Sequence, residues 1–466
     1  MIRTRELLDP RSLRWLTLAA ALLAAACGRS GSQDAPGAAP GSAPSGPGAT
    51  GAAPGTGTAG GATRPASPLT ITGMVVDESG RPVAGAAVQV SGKPATVTDG
   101  SGHFAAAGVM PPYDVSAVFS RSAAESYATV VQGLTRADPI VKVSYDPTTA
   151  WSRAWVTGAA ATAAGPATPE TVRTVVLLAA PDAHREGWAD STTGAYATGA
   201  QLDPFLYVGL PRAETGALYA LQATVDASGE PTGYSWFGAT SGLRLAPGAQ
   251  LAGQDVALST PVQTGGLSGI LAVPGLGSAA ASLSLSLPGE AGWLLWRGDL
   301  AGPFSAFDIP TPTFAGATFD VTFSAYDPDM NRTAATLRGL APSVAGLAPV
   351  LRQPPALLAP ATFAAGLGYS DAFTWTPLDG GVHRVRFFGG ERPYLRLDVI
   401  TSASSITLPD LRPLGLVLDP TRTYHWQVFA TAPSSPDEAA STALAPAAVE
   451  WSGESVVREF DFAVSR

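Results

Sequence analysis

Four histidines are the first place to look for chemistry in this chain: His103, His184, His383 and His425. A hydrolase needs a nucleophile with a base in reach, or a metal held by several ligands. No two of these imidazoles stand at a local metal-binding spacing. His184-Arg185-Glu186 falls one residue short of the His-x-x-Glu step that sets both side chains around one zinc ion. No Gly-x-Ser-x-Gly elbow and no phosphate loop occur. Gly55-Thr56-Gly57-Thr58-Ala59-Gly60 matches a dinucleotide fingerprint in letters only, because no strand precedes it and no helix follows. His103 follows a turn and His425 lies on a strand, so both are expected to be surface or structural residues. The chain is therefore read as non-enzymatic.

Two other constellations invite a ligand. Asp327-Pro328-Asp329-Met330-Asn331 puts oxygen ligands at alternate positions, which is how calcium loops begin. Its sixth position is Arg332 and its twelfth is Arg338, where the helix–loop–helix calcium motif needs Gly and Glu. A simpler calcium loop at Asp327, Asp329 and Asn331 competes with a polar hairpin tip. Arg297-Gly298-Asp299 is the integrin-recognition tripeptide, a short match that reads more plainly as a turn after Trp293–Trp296. Among ten tryptophans, Trp188 stands in a polar stretch, His184–Thr193. It is the best candidate for an exposed ring that stacks on sugar or protein, against plain packing. Trp155, Trp375 and Trp426 lie on strands and are expected in cores.

The elements that would carry these residues read as strands. Ser282-Leu283-Ser284-Leu285-Ser286-Leu287 alternates strictly, which gathers leucine on one face of a strand and scatters it around a helix. Thr171–Ala179 is a near-continuous apolar run that suits a central strand. In Ile71–Phe104, short β-branched runs are broken by Asp77-Glu78-Ser79-Gly80 and Asp99-Gly100-Ser101-Gly102, both tight-turn signals. The spaced positions Gly73, Val75, Asp77, Gly80, Pro82, Gly85-Ala86, Val88, Thr98-Asp99, Gly102 and Phe104 resemble the carboxypeptidase regulatory-like domain over about residues 69–145. That resemblance implies a small transthyretin-like sandwich and an accessory module, with no activity of its own.

Weak internal repeats follow. Ile71-Thr72-Gly73 returns as Val156-Thr157-Gly158 and Leu267-Ser268-Gly269, and a strand-then-Gly-Leu signature returns at Gly133-Leu134, Gly242-Leu243 and Gly339-Leu340. Three sandwich modules are expected at 69–147, 148–262 and 263–353. The remainder, 354–466, resembles a fibronectin type III domain. That likeness implies Trp375 as the inter-sheet tryptophan and Tyr424 as a corner tyrosine bonded to the preceding loop.

The leader sets the compartment. Arg3, Arg5, Arg11 and Arg14 outweigh Glu6 and Asp9. The apolar run Trp15–Ala26 is shorter than the ~20 residues of a membrane-spanning helix. Leu22-Leu23-Ala24-Ala25-Ala26-Cys27 resembles a bacterial lipobox, with Ala24 where leucine is usual, and it ends on the chain's single cysteine. The resemblance implies that residues 1–27 are a lipoprotein signal peptide with its lipobox cysteine, and that Cys27 becomes the diacylglycerol-bearing N-terminus on cleavage just before it. An ordinary signal peptide with an incidental cysteine is the competing reading. Gly28 follows, with no aspartate, which by the same resemblance points to the outer membrane, on its periplasmic or its outer face. Residues 28–68 are Gly, Ala, Pro, Ser and Thr, too poor in large apolar side chains to fold. About 40 such residues span roughly 35 Å.

A charged fraction of 14% and a net charge of −9 exclude a nucleic-acid footprint. The expectation is an all-β lipoprotein of tandem sandwiches. It would be held to a lipid bilayer through Cys27 and act in adhesion, as a scaffold or in binding. The alternative is capture of polysaccharide for a separate enzyme.

Overall fold

A computed structural model describes residues 67–463 apart from 79, 123–124, 146–151, 163–171, 180–190, 194–199, 202–206, 211, 228–230, 288–290, 301–302, 311–317, 342, 390–393 and 442–448. The regular structure of the described residues is nearly all β-strand.

The first module is a two-sheet sandwich. Leu69–Val76 runs between antiparallel His103–Val109 and parallel Ile140–Lys142. The facing sheet runs Glu125–Leu134, Tyr113–Ser122, Ala87–Val90, Thr96–Val97. Alternating Ile71, Val75, Val88, Val115, Val131 and Val141 fill the space between the sheets.

The repeated glycines have a packing reason. A Cβ at Gly73 would lie 2.7 Å from the Pro139 carbonyl oxygen, one at Gly158 2.3 Å from that of Gln254, and one at Gly269 2.1 Å from that of Leu347. In each case an opening segment meets a closing segment that returns parallel to it: Ile140–Lys142 in the first module, Gln250–Leu251 and Val256–Leu258 around Gly158, and Val344–Leu347 beside Gly269. Only a residue without a side chain admits that backbone approach. Gly133, Gly242 and Gly339, from the Gly-Leu signature, all have positive φ (76°, 80° and 65°). Asp114 and Asp320 each accept the following glycine's N–H, from Gly133 at 2.9 Å and Gly339 at 3.0 Å.

Val172–Ala179 lies inside a five-stranded sheet, paired on both sides. Leu283, Leu285 and Leu287 are buried while the intervening serines are not, as alternation requires. Trp155 departs from expectation: it is half-exposed, and its neighbours Ala154 and Val156 fill the core of the second module instead. Leu221 and Phe237 of the second module pack into the core of the third, and the Tyr234 hydroxyl donates to the Leu295 carbonyl at 2.9 Å.

The fourth module centres on Phe373, Trp375, Phe387, Trp426 and Phe460, with Trp375 1% and Trp426 0% exposed. Phe373 meets Phe387, Trp426 and Phe460 edge-on at 4.9–5.1 Å between centroids, a favoured aromatic geometry. The Tyr424 hydroxyl accepts the Asp419 N–H at 2.8 Å and donates back to the Asp419 carbonyl at 3.4 Å.

The modules do not stand as separate beads. One fourteen-stranded sheet threads three of them. Arg332–Leu340 of the third pairs with Val449–Glu454 of the fourth, and Tyr394–Thr401 of the fourth pairs in parallel with Glu125–Leu134 of the first. The connection between the third and fourth modules is also pinned. Arg352 stacks on Trp451 at 3.8 Å and donates to the Asp379 carbonyl at 2.7 Å, while Trp451 Nε1 donates to the Val350 carbonyl at 3.0 Å.

Candidate functional site: the arginine–aromatic face at the module seam

Opposed residues in a sheet share a face, and the shared sheet lays out three rows across the seam. The strands are Val449–Glu454, Thr423–Ala432, Val382–Gly389, Tyr394–Thr401 and Glu125–Leu134. The first row is Glu454, Phe429, Arg384, Ile400, Val131. The second is Gln427, Arg386, Asp398, Thr129. The third is His425, Phe388, Arg396, Tyr127, Phe119. The opposite face of the same strands is apolar, with Val385, Phe387, Leu397, Val399, Trp426 and Val428 in the fourth module's core. Alternation on both sides of one sheet therefore fixes which side chains reach this face.

Its charges are ordered. Asp398, 2% exposed, accepts from Arg386 Nε at 2.9 Å and from the Ser144 hydroxyl of the first module. Arg396 lies 3.7 Å from Asp398 and 3.0 Å from Glu78 of the first module. A carboxylate this buried is tolerable only because guanidinium and hydroxyl partners satisfy it. Arg384 is different: among the described residues it has neither an ion pair nor a hydrogen bond. Its guanidinium lies over the Phe429 ring at 4.7 Å, and that of Arg386 lies over the same ring at 4.9 Å. Burial lowers the Arg384 pKa; Asp398 and Glu78 oppose the shift, while Arg386 and Arg396 add to it. A guanidinium still stays charged near neutrality. Phe388 and His425 stack beside this pair at 5.2 Å, and Tyr127, Tyr145, Phe119 and Tyr394 form an aromatic chain along the seam.

A second clasp crosses the seam at the short helix Pro436–Ala439. Asp437 accepts from the backbone N–H of Thr135 at 2.8 Å and of Arg136 at 3.2 Å, and from the Thr135 hydroxyl. Arg136 Nη1 donates to the Asp437 carbonyl at 2.7 Å, and Ile140 N–H donates to the Ala440 carbonyl at 2.8 Å. Ser435 and Glu438 close a reciprocal capping box around this helix.

The residues singled out in the sequence fall elsewhere. Cys27, Trp188 and His184 lie outside the described residues. His103 is exposed, with Nδ1 3.8 Å from Asp99. His383 is buried, and its Nε2 accepts the Leu378 N–H at 3.0 Å. Arg297-Gly298-Asp299 is not a turn: it lies within the strand Ala291–Leu300, where cross-strand pairing with Ala280, Ala281 and Ser282 fixes the backbone.

The Asp327 run forms a hairpin tip. Both Asp327 carboxylate oxygens accept from Asn331, through its N–H and its Nδ2, each at 2.8 Å; Asn331 Oδ1 accepts the Val456 N–H at 2.9 Å. Asp329 is exposed and bonds to neither. Among the described residues, no group of three or more His, Cys, Asp or Glu is placed to hold a metal. The same turn occurs twice more. Asp77 accepts the Arg81 N–H and Asp99 the His103 N–H, with Gly80 and Gly102 at the positive-φ position that Met330 takes in the third copy. The oxygen-rich spacing is thus met by turn closure.

Residues 70–141 match the carboxypeptidase regulatory-like domain. No curated protein matches the chain. Solved structures similar to it include the Bacillus anthracis TIE protein, 10% identical over 61% of this chain and 50% of that one, with a TM-score of 0.14. This chain thus spans about half the length of the TIE protein. The major pilin subunit of Bacillus cereus is 11% identical over 61% of this chain and 99% of its own, with a TM-score of 0.13. A 1.5-MDa bacterial ice-binding adhesin is 11% identical over 67% and 99%, again with a TM-score of 0.13. Likenesses this distant carry no functional argument.

Proposed function

We propose that this chain is a non-catalytic binding scaffold. In this reading Cys27 is acylated and holds it to the outer membrane, residues 28–68 give reach, and the strand-built part offers one rigid composite surface. The observation that carries the reading is the sheet continuous through three modules, with satisfied ionic and backbone contacts across its seam. Such a framework holds side chains on widely separated strands in fixed register, which suits presentation. The fibronectin type III-like reading of residues 354–466 belongs to this proposal, supported by the Tyr424 bonds to the Asp419 backbone.

Radiolabelled palmitate incorporation and membrane fractionation, wild type against Cys27→Ser, test the anchor. Label and membrane association are expected to vanish together in the variant; a Cys27→Ser chain that stays with the membrane overturns the anchoring. The purified chain, immobilised and washed with cell-envelope extract, is expected to retain a specific partner without altering it. Turnover of an envelope component, abolished by one substitution, overturns the scaffold reading. Polysaccharide capture is the second reading, favoured by the rings and guanidinium groups on the seam face.

A further inference from the structure

The charge pattern of the seam face is incomplete by itself. Asp398 has Arg386, Arg396 and Ser144; Glu78 has Arg396; Glu454 Oε1 accepts from Gln427 Nε2 at 2.8 Å. Arg384 alone among these three arginines has no close ion pair: Asp398 and Glu78 act on it only at longer range, and Arg386 and Arg396 crowd it with like charge. Its guanidinium carbon lies 4.7 Å from the Phe429 ring centroid, and its Nε is buried without a hydrogen-bond partner. An unpaired, half-buried cation is costly to fold and is relieved by an anion from outside.

We propose that Arg384 and Arg386, with Phe429 and the Phe388–His425 stack, bind a uronate-type acidic polysaccharide lying across strands 382–389 and 423–432. This rests on the binding-scaffold reading and names the ligand class of its surface. Three observations choose that class. First, strand 382–389 is paired on both edges, with 394–401 and with 423–432. A peptide therefore has no backbone ladder to extend here, whereas a sugar ring needs only a face to stack on. Second, His425 and Phe429 are four residues apart on one strand, about 13 Å at the usual rise, so the guanidinium pair over Phe429 and the Phe388–His425 stack lie along one line. Third, Asp398 and Glu454 border the site. Their charge disfavours a dense polyanion and tolerates one carboxylate per ring, to which the planar Arg384 guanidinium can donate two parallel hydrogen bonds.

The test uses the full chain in detergent and isothermal titration with polygalacturonate, fully methyl-esterified polygalacturonate, dextran and poly-glutamate. Polygalacturonate is expected to bind, with affinity falling at least tenfold in Arg384→Gln and declining with added salt. Esterified polymer and dextran are expected to bind at least tenfold more weakly. Undiminished binding by Arg384→Gln, or equal binding of the esterified polymer, overturns the proposal. So does poly-glutamate binding as tightly as polygalacturonate, which would assign the face to acidic peptides. If Arg384→Gln does not fold, the esterified polymer and a Phe429→Leu variant, expected to weaken polygalacturonate severalfold, still decide it. No binding of any polysaccharide, with an envelope protein still retained by the immobilised chain, sinks this inference and leaves the scaffold reading standing.

Discussion

Single side chains set the local energetics. His383 is 1% exposed, beside Trp375 at 5.6 Å between ring centroids and near the Thr401 and Ala403 carbonyls, and its Nδ1 has no hydrogen-bond partner among the described residues. Burial lowers its pKa below the ordinary 6.5, with those carbonyls opposing. The folded chain therefore keeps the ring neutral where the unfolded chain protonates it. The stability contributed is whole above about pH 6.5 and is lost as pH falls from there toward the depressed folded value. Thermal melts across that window are expected to decline more steeply for the wild type than for His383→Gln, which keeps an acceptor without a titrating ring; parallel slopes would show that another group is responsible. Met330 has φ of 67° and is 65% exposed. A left-handed non-glycine residue costs on the order of 1–2 kcal/mol, and little packing is lost here. Met330→Gly is expected to raise stability by about 1 kcal/mol in denaturant titration. Gly73→Ala is expected to lower it by about 1–3 kcal/mol, because Phe104 and the Pro139 carbonyl occupy the space.

Strands and turns are largely legible in the sequence. Leu283, Leu285 and Leu287 face inward because alternation leaves no other choice, and the repeated Gly73, Gly158 and Gly269 mark the same close approach three times. Arg297-Gly298-Asp299 misled because a tripeptide carries no periodicity; the cross-strand ladder decides its conformation. The helix Pro436–Ala439 was missed inside a long Pro/Ala/Ser stretch, although Ser435 and Glu438 spell a capping box with Pro436 at the first helical position. The role of Asp437 had no local signature, since its partners are Thr135 and Arg136. Asp437→Ala removes two backbone acceptor contacts and one to a hydroxyl. It is expected to cost about 1–3 kcal/mol and to speed amide exchange in residues 134–140 first, which hydrogen-exchange mass spectrometry would resolve. Uniform acceleration across the chain would argue against a local clasp.

Across the whole molecule, the seam face escaped the sequence for a plain reason. Arg384 and Arg386 look like ordinary outward residues of an alternating strand, and Asp398, Ser144 and Glu78 converge only through the fold. Modules that follow one another along the sequence here share core contacts: Val118, Ala128 and Val130 of the first pack into the core of the fourth, while Ile400 and Ala440 of the fourth pack into that of the first. Interleaved cores predict that these two modules melt together. Calorimetry of wild type and Trp375→Ala is expected to show the cavity, worth about 3–5 kcal/mol, lowering the first module's transition as well. A first-module transition left in place would mean that the cores act separately.

The parallel ladder between Glu125–Leu134 and Tyr394–Thr401 also fixes an order of assembly. Its first strand is synthesised long before its second. Until then that strand shows a bare row of amides and carbonyls, open to stray pairing with other chains. Contacts so remote in sequence slow folding. Newly made chains must be shielded at that one margin until their last third arrives.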